Sequence, residues 1–335
     1  MDGTRQPVGR FRMADVRHKR AVPRRAVARG TLHLGMDAFV LLAAGRLPKG
    51  DALALAEVAG VNGAKQAAWL LPLCHPLPLE LVRVHCELDA TGPAVHVYCE
   101  VAVEARTGVE MEALAGVSAA LLTLYDLIKP VDPALALGET RLLFKEGGKS
   151  GLWRHPAGMT ADEEARFKPR AAARLDGKRA AVATLSDRAH AGQYDDRSGP
   201  LLVAALAGLG ADVLAREVLP DDGAVLQARL RAWIDDGIDL VLCTGGTGLG
   251  ARDITPEALA ALGGRTIDGL GDLFRDASAA YTPLAWLSRA TAVLCRRTLI
   301  LALPGSPKAV REGMEILAPI LPHALAMIAG EEHPA

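Results

Sequence analysis

The chain has 335 residues, half of them apolar and 23% charged, enough for two domains that each bury a core. Lys and Arg number 38 against 39 Asp and Glu, so the formal net charge is −1, which argues against a dedicated nucleic-acid binder. No apolar run reads as long enough to span a membrane, no signal-peptide core follows the start, and five cysteines without a CxxC pair argue against a disulfide scaffold or zinc ribbon and for a reduced, cytoplasmic protein.

Residues 1–30 carry nine Arg or Lys against two Asp. An organelle transit peptide can look like this. The preferred reading is a basic tail, 1–12, leading into a domain whose organised chain starts near Met13-Ala14-Asp15-Val16. Residues 50–71 are expected to be helical. Residues 81–88 and 94–104 alternate apolar with polar and read as neighbouring antiparallel strands joined through 89–93. Residues 111–129 read as one long helix, with Leu114, Val117, Leu121, Leu124 and Ile128 on its buried stripe. The order suggests an α+β sandwich for a first domain, 13–151. Residues 152–178, rich in Pro and Gly, read as a linker that includes a short helix near 161–166. In a second domain, 179–330, strands at 179–185, 213–218, 240–243 and 298–303 alternate with helices at 198–209, 223–236 and from 308. That pattern predicts an α/β fold with a mostly parallel sheet covered by helices, and ligands at the carboxyl ends of its strands.

Within the first domain, Leu73-Cys74-His75-Pro76-Leu77 is a stiff turn that could hold His75 at a fixed angle, or simply let it satisfy a backbone carbonyl. Glu110 and Glu112 flank Met111 where the long helix begins, near its positive end. Two close carboxylates can divide acid and base roles, although capping charge explains them equally. Asp126 and Lys129 share a helix face, as even a plain surface ion pair would. Lys145-Glu146-Gly147-Gly148-Lys149-Ser150-Gly151 is not a Walker A loop, because Leu143 stands where the leading Gly is needed, and it reads as a polar tail.

Jointly these segments resemble the cyclic pyranopterin monophosphate synthase family. The matching residues are Asp15-Val16, Lys49-Gly50-Asp51, Ala64-Lys65, Leu73 to Leu77, Thr107-Gly108-Val109-Glu110-Met111-Glu112-Ala113-Leu114, Tyr125-Asp126 with Lys129, and Arg141-Leu142-Leu143 running to Gly151. The resemblance implies a ferredoxin-like α+β fold and a hexamer. It implies rearrangement of a cyclised dihydroguanosine triphosphate to cyclic pyranopterin monophosphate with release of pyrophosphate, and it firmly implies no particular cofactor for this half. It places substrate binding at Leu73, Cys74, His75, Glu110, Met111 and Glu112, and acid/base chemistry at Asp126 among Lys49, Lys129 and Lys145. Lys65 and Lys149 add cations suited to a triphosphate. Glu146 departs from the family's small residue, and Gln66-Ala67-Ala68-Trp69 replaces a more polar stretch.

In the second domain, Gly245-Gly246-Thr247-Gly248 follows a buried strand. Its glycines let backbone N–H groups approach an anion. Asp253 precedes Thr255-Pro256, a plausible N-cap and first helical residue, and Asp221-Asp222 ends another strand. These carboxylates can hold Mg²⁺ against phosphate oxygens, though loop aspartates in turns are common. Pro304-Gly305-Ser306 opens a further helix whose start favours an anion. With Ser186-Asp187-Arg188, Asp196 with Ser198-Gly199, and Ser288-Arg289, this half resembles the molybdopterin adenylyltransferase family and its MoaB-type relatives. The resemblance implies transfer of AMP from Mg-ATP to molybdopterin in a trimer, with essential aspartates at Asp221 and Asp253.

The whole chain therefore reads as a bifunctional enzyme of molybdenum-cofactor synthesis and a homo-oligomer, trimer or hexamer. Its partners would be the cyclic triphosphate, molybdopterin and ATP, with other pathway proteins possible, and neither nucleic acid nor membrane. The alternative is that the second half only binds pterin and assists assembly.

Overall fold

The computed structural model describes residues 11–17, 19–148, 151–170 and 174–331. The chain divides into two units, 1–172 and 173–335.

The first unit is built on strand β1 (Val22–His33), at the centre of an antiparallel sheet. Helices α1 (Met36–Ala43), α2 (Ala52–Lys65) and α3 (Ala67–Leu70) follow. Next come β2 (Leu81–Asp89), β3 (Ala94–Ala105), α4 (Glu110–Ile128) and β4 (Ala136–Glu146). The short β5 (Trp153–Arg154) and helix α5 (Ala161–Phe167) complete the unit. The strand order is β2-β3-β1-β4-β5. Side chains alternate along β1, so Ala26, Ala28 and Leu32 enter the core with α2 and α4, while Val27 faces the other way, toward Tyr98, Phe144 and Phe167. Small residues bring the helices close. A Cβ on Gly60 would lie 3.1 Å from the Gly116 carbonyl, and one on Gly30 would strike Leu121.

By length and composition α4 could cross a membrane, contrary to the expectation that no run reaches that size. It is instead the core helix of this unit, with Val117, Leu121, Leu124 and Ile128 buried in the cluster that lines the sheet.

Three strands of this unit were not expected. β1 lies where the basic character of 1–30 dominates the sequence pattern, β4 precedes the segment that reads as a polar tail and shares only Lys145 and Glu146 with it, and β5 falls in the segment that reads as linker. Their charged residues have partners across the sheet. Arg25 Nε donates to Glu100 at 2.7 Å, and Arg29 Nη1 donates to Glu163 at 3.2 Å. The segment that reads as linker begins on this same sheet, because β5 pairs with β4 and Phe167 of α5 packs against Tyr98. Lys149 and Ser150 lie outside the described residues, as do residues 1–10.

The second unit runs β6 (Arg179–Leu185), α6 (Asp187–His190), α7 (Ser198–Gly208), β7 (Asp212–Leu219), α8 (Gly223–Asp235), β8 (Leu240–Thr244) and α9 (Thr255–Ala260). It continues with β9 (Arg265–Thr266), α10 (Asp268–Ala279), a 3₁₀ turn at Pro283–Leu287, β10 (Thr291–Cys295), β11 (Thr298–Leu303), α11 (Pro307–Leu317) and α12 (Leu321–Ala329). The sheet order is β7-β6-β8-β11-β10-β9. The first four strands are parallel, and β10 and β9 add an antiparallel edge that the sequence pattern had not revealed. Val182, Leu242 and Leu301 face α7, α11 and α12 on one side; Ala183, Val241 and Ile300 face α8 and α9 on the other. This is the expected mostly parallel sheet with helices on both faces. The carboxyl ends of β6, β7, β8 and β11 consequently open on one edge.

Candidate functional sites

In the first unit the candidate residues form two clusters at opposite ends of α4. The N-terminal cluster is tight. Glu112 is 3% exposed, and its Oε2 has no hydrogen-bond partner among the described residues. The Cys74 thiol donates to Glu112 Oε1 at 3.5 Å. Burial raises the pKa of Glu112, and burial followed by the Glu112 charge pushes Cys74 up to about 11, so the thiol stays protonated. Glu110 pairs with Lys145 Nζ at 2.9 Å. His75 Nε2 lies 2.9 Å from the Ala14 carbonyl, which fastens the loop before β1 to the proline-rich turn. Leu73 and Met111 are exposed beside this cluster.

Sequence reasoning missed Arg24 here. It lies on β1, its Nε donates to Ala105 O at 3.2 Å, and its guanidinium crowds Gly148. The family-like Gly147-Gly148 run pointed to this spot, but its strand partner could not be read from local pattern. Glu146, the departure from the family, accepts from Arg25 Nη1 at 3.4 Å and from the Arg170 backbone N–H at 2.6 Å. Arg25 thus lies between Glu146 and Glu100, with the shorter contact to Glu100.

At the other end of α4, Asp126 is held between two amines. Lys129 Nζ lies 2.7 Å from Oδ1 and Lys49 Nζ 3.0 Å from Oδ2. Lys49 also donates to the Asp126 carbonyl at 3.0 Å. The hydrogen bond from Lys129, and then that from Lys49, hold the Asp126 pKa below its ordinary value. Lys65 ends α2 and is exposed. At about 1.5 Å per residue, the sixteen steps from Glu110 to Asp126 place the two clusters about 24 Å apart along the axis.

In the second unit the candidate residues gather on the carboxyl edge of the parallel strands. Asp187 and Asp221 lock β6 and β7 reciprocally, each backbone N–H donating to the other's carboxylate at 3.0 Å. The Asp221 N–H and then Arg252 lower the Asp187 pKa. Ser186 caps α6 and shares a hydrogen bond of 2.8 Å with Tyr194. Gly245 and Gly246 have φ of 100° and 64°, the left-handed region where a side chain is strained. Asp253 Oδ2 accepts from the Gly250 N–H at 2.8 Å.

Arg289 clamps the glycine loop. Its backbone N–H donates to Thr247 O at 2.9 Å, its Nε donates to Gly248 O at 2.8 Å, and it pairs with Glu257. Its neighbour Ser288 accepts from the Ala290 N–H at 3.2 Å. Pro304-Gly305-Ser306 lies against the glycine turn, where a Cβ on Gly305 would sit 3.2 Å from Gly245 Cα; Ser306 caps α11.

Comparison with known proteins agrees with this division. The MoaC family matches residues 13–148, and the family described as "Probable molybdopterin binding domain" matches 181–323. The chain is 45% identical over 321 residues to a molybdenum cofactor biosynthesis bifunctional protein of Synechococcus elongatus, covering 96% of this chain and 98% of that one. It is 36% identical over 325 residues to the protein of the same name from Chlorobaculum tepidum, covering 97% of each. Over 143 residues, 43% of this chain, it is 47% identical to the cyclic pyranopterin monophosphate synthase of Dinoroseobacter shibae, covering 90% of that protein. The chain belongs to the bifunctional molybdenum cofactor biosynthesis proteins, with a MoaC-type domain followed by a molybdopterin-binding-type domain.

Proposed function

We propose that the first unit converts a cyclised dihydroguanosine triphosphate to cyclic pyranopterin monophosphate and pyrophosphate, and that the second transfers AMP from Mg-ATP to molybdopterin. For the first reaction the carrying observation is Asp126 between Lys49 and Lys129. A carboxylate kept ionised can take a proton during ring rearrangement, and amines on both sides can neutralise phosphate charge. Glu112 and His75 supply further proton-carrying groups from the other cluster, and Lys145 a further cation. The β-α-β-β-α-β order with strands β2-β3-β1-β4 supports a ferredoxin-like reading of this unit.

The separation of the two clusters supports a homo-oligomer. One ligand cannot touch both ends of α4, so a complete site would join Asp126 of one copy to Glu110, Glu112 and Lys145 of another. Trp69, Leu70 and Leu73, exposed near the proline-rich turn, suit burial in such a contact.

For the second reaction the attacking group would be the terminal phosphate of molybdopterin, which is already ionised. It needs alignment and charge neutralisation more than a base. Mg²⁺ would arrive with ATP. Asp221, just after β7, and Asp253, beside the glycine loop, offer the hard oxygen ligands it prefers. Complementation of two strains, each lacking one activity, by the intact chain tests both halves. ATP consumption that depends on molybdopterin would separate catalysis from the alternative, a second unit that only binds pterin.

A further inference from the structure

Three buried hydroxyl groups lie beneath the glycine turn and the proline-glycine turn of the second unit. Thr255 and Thr244 are fully buried and Ser198 is 4% exposed. Each donates to a different turn carbonyl: Thr255 Oγ1 to Gly245 O at 2.8 Å, Thr244 Oγ1 to Pro304 O at 2.9 Å, and Ser198 Oγ to Gly305 O at 2.6 Å. Ser198 is itself fixed. Asp196 Oδ1 accepts from the Ser198 and Gly199 N–H groups at 2.9 Å, and Asp196 Oδ2 accepts from Thr184 Oγ1 at 2.9 Å.

There are no cis peptides among the described residues. In a trans peptide the C=O and the following N–H point in opposite directions. A carbonyl drawn inward to a buried hydroxyl therefore turns the next N–H outward. The N–H groups concerned belong to Gly246, Gly305 and Ser306. No hydrogen bond within the described residues engages any of the three. Gly305 and Ser306 are exposed and Gly246 is half-buried. The two turns touch at Gly245 and Gly305, so these donors belong to one surface.

We infer that Ser198, Thr244 and Thr255 are positioning residues that aim the Gly246, Gly305 and Ser306 N–H groups at a phosphate group of the ligand. The inference rests on the phosphorylated-ligand reading of this unit and deepens it. Successive outward N–H groups form a concave anion-binding surface. The hydroxyls never touch the ligand. They prevent the flexible glycine peptides from flipping, so that donors rather than carbonyl oxygens meet the anion. The phosphate could come from molybdopterin or from ATP; the recognising chemistry is the same.

The test uses the full chain and titrates ATP, adenosine, molybdopterin and dephosphorylated molybdopterin separately. Thr255→Val and Thr244→Val keep shape and remove the hydroxyl, and Thr255→Ser and Thr244→Ser restore it. Each Val variant is expected to bind at least one phosphorylated ligand about tenfold more weakly, with the dephosphorylated partner unaffected and Ser restoring affinity. Whether ATP or molybdopterin carries the loss identifies the source of the phosphate. Equal binding by parent and Val variants would overturn the inference, as would an equal loss in Val and Ser variants or an equal loss for both members of a ligand pair. A parent chain that bound neither phosphorylated ligand would instead overturn the functional reading beneath it.

Discussion

Glu110 and Asp126 lie on one helix yet face separate ion pairs: Glu110 meets Lys145 where α4 begins, and Asp126 meets Lys129 and Lys49 where it ends. The rigid helix between them fixes their separation. Chemistry that uses both carboxylates on one ligand would therefore require the proposed assembly of more than one copy of the chain.

Asp126→Ala should lower pyrophosphate release by about 10²- to 10⁴-fold, the usual contribution of a positioned acid or base. Its ion pairs are exposed, and such pairs add little to stability. The melting temperature should therefore stay close to that of the parent. Normal turnover in this variant would remove Asp126 from the reaction.

The assembly argument predicts complementation between subunits. Asp126→Ala and Lys145→Ala should each be inactive alone. Mixed after dissociation and reassociation, they should regain part of the activity, because some sites would combine an intact Asp126 with an intact Lys145. If the mixture remains as inactive as its components, both clusters do not serve one shared site.

Asp253→Ala should abolish AMP transfer to molybdopterin and leave pyrophosphate release by the first unit unchanged. Asp253 also accepts the Gly250 N–H, so Asp253→Asn, which keeps an acceptor oxygen, separates loop support from charge. Loss of transfer in both variants would assign the effect to the carboxylate charge. Parallel assays of the two reactions check this, and a joint fall would contradict two independent sites.

Most regular elements were legible because burial imposes a period. The stripe of α4 and the continuous apolar runs of β6, β8 and β11 show their partners in their own spacing. β1 did not, because Arg24, Arg25 and Arg29 make it look like basic tail. Glu100 and Glu146 for Arg25, and Glu139 and Glu163 for Arg29, all far along the chain, account for two of those charges. The same limit applies to the candidate sites. The motif segments can be found in the sequence, but the division of their residues between two ends of α4 follows from tertiary placement. The roles of Ser198 and Thr244 were hidden for a similar reason: a hydroxyl directed at a backbone carbonyl across the fold leaves no local pattern.

Glu163 anchors α5 to the first sheet. It is 3% exposed, completes a capping box with Thr160, and accepts from Arg29 and from the Tyr98 hydroxyl at 3.2 Å each. Glu163→Ala takes the nearer carboxylate from a mostly buried guanidinium, leaving Glu139 at 3.7 Å, and removes the side-chain half of the capping box, while the Thr160 hydroxyl still accepts the residue-163 N–H. A loss of about 3 kcal/mol is expected, read as a lower denaturant midpoint for the first unit. An unchanged midpoint would mean that α5 adds nothing to this unit.

Glu112 is buried, and burial raises its pKa above that of the unfolded chain, about 4.3. The folded state therefore binds a proton that the unfolded chain releases at lower pH. The resulting stabilisation is complete below the unfolded value and is lost as pH rises through the folded one. Glu112→Gln retains the shape and an acceptor for the Cys74 thiol but cannot ionise. Its stability relative to the parent should increase from pH 4 to pH 8, with the variant the more stable at the upper end. Denaturant midpoints of both proteins at several pH values check this. Parallel curves would show that Glu112 titrates alike in both states, and that its unpartnered oxygen is hydrated rather than held in a dry pocket.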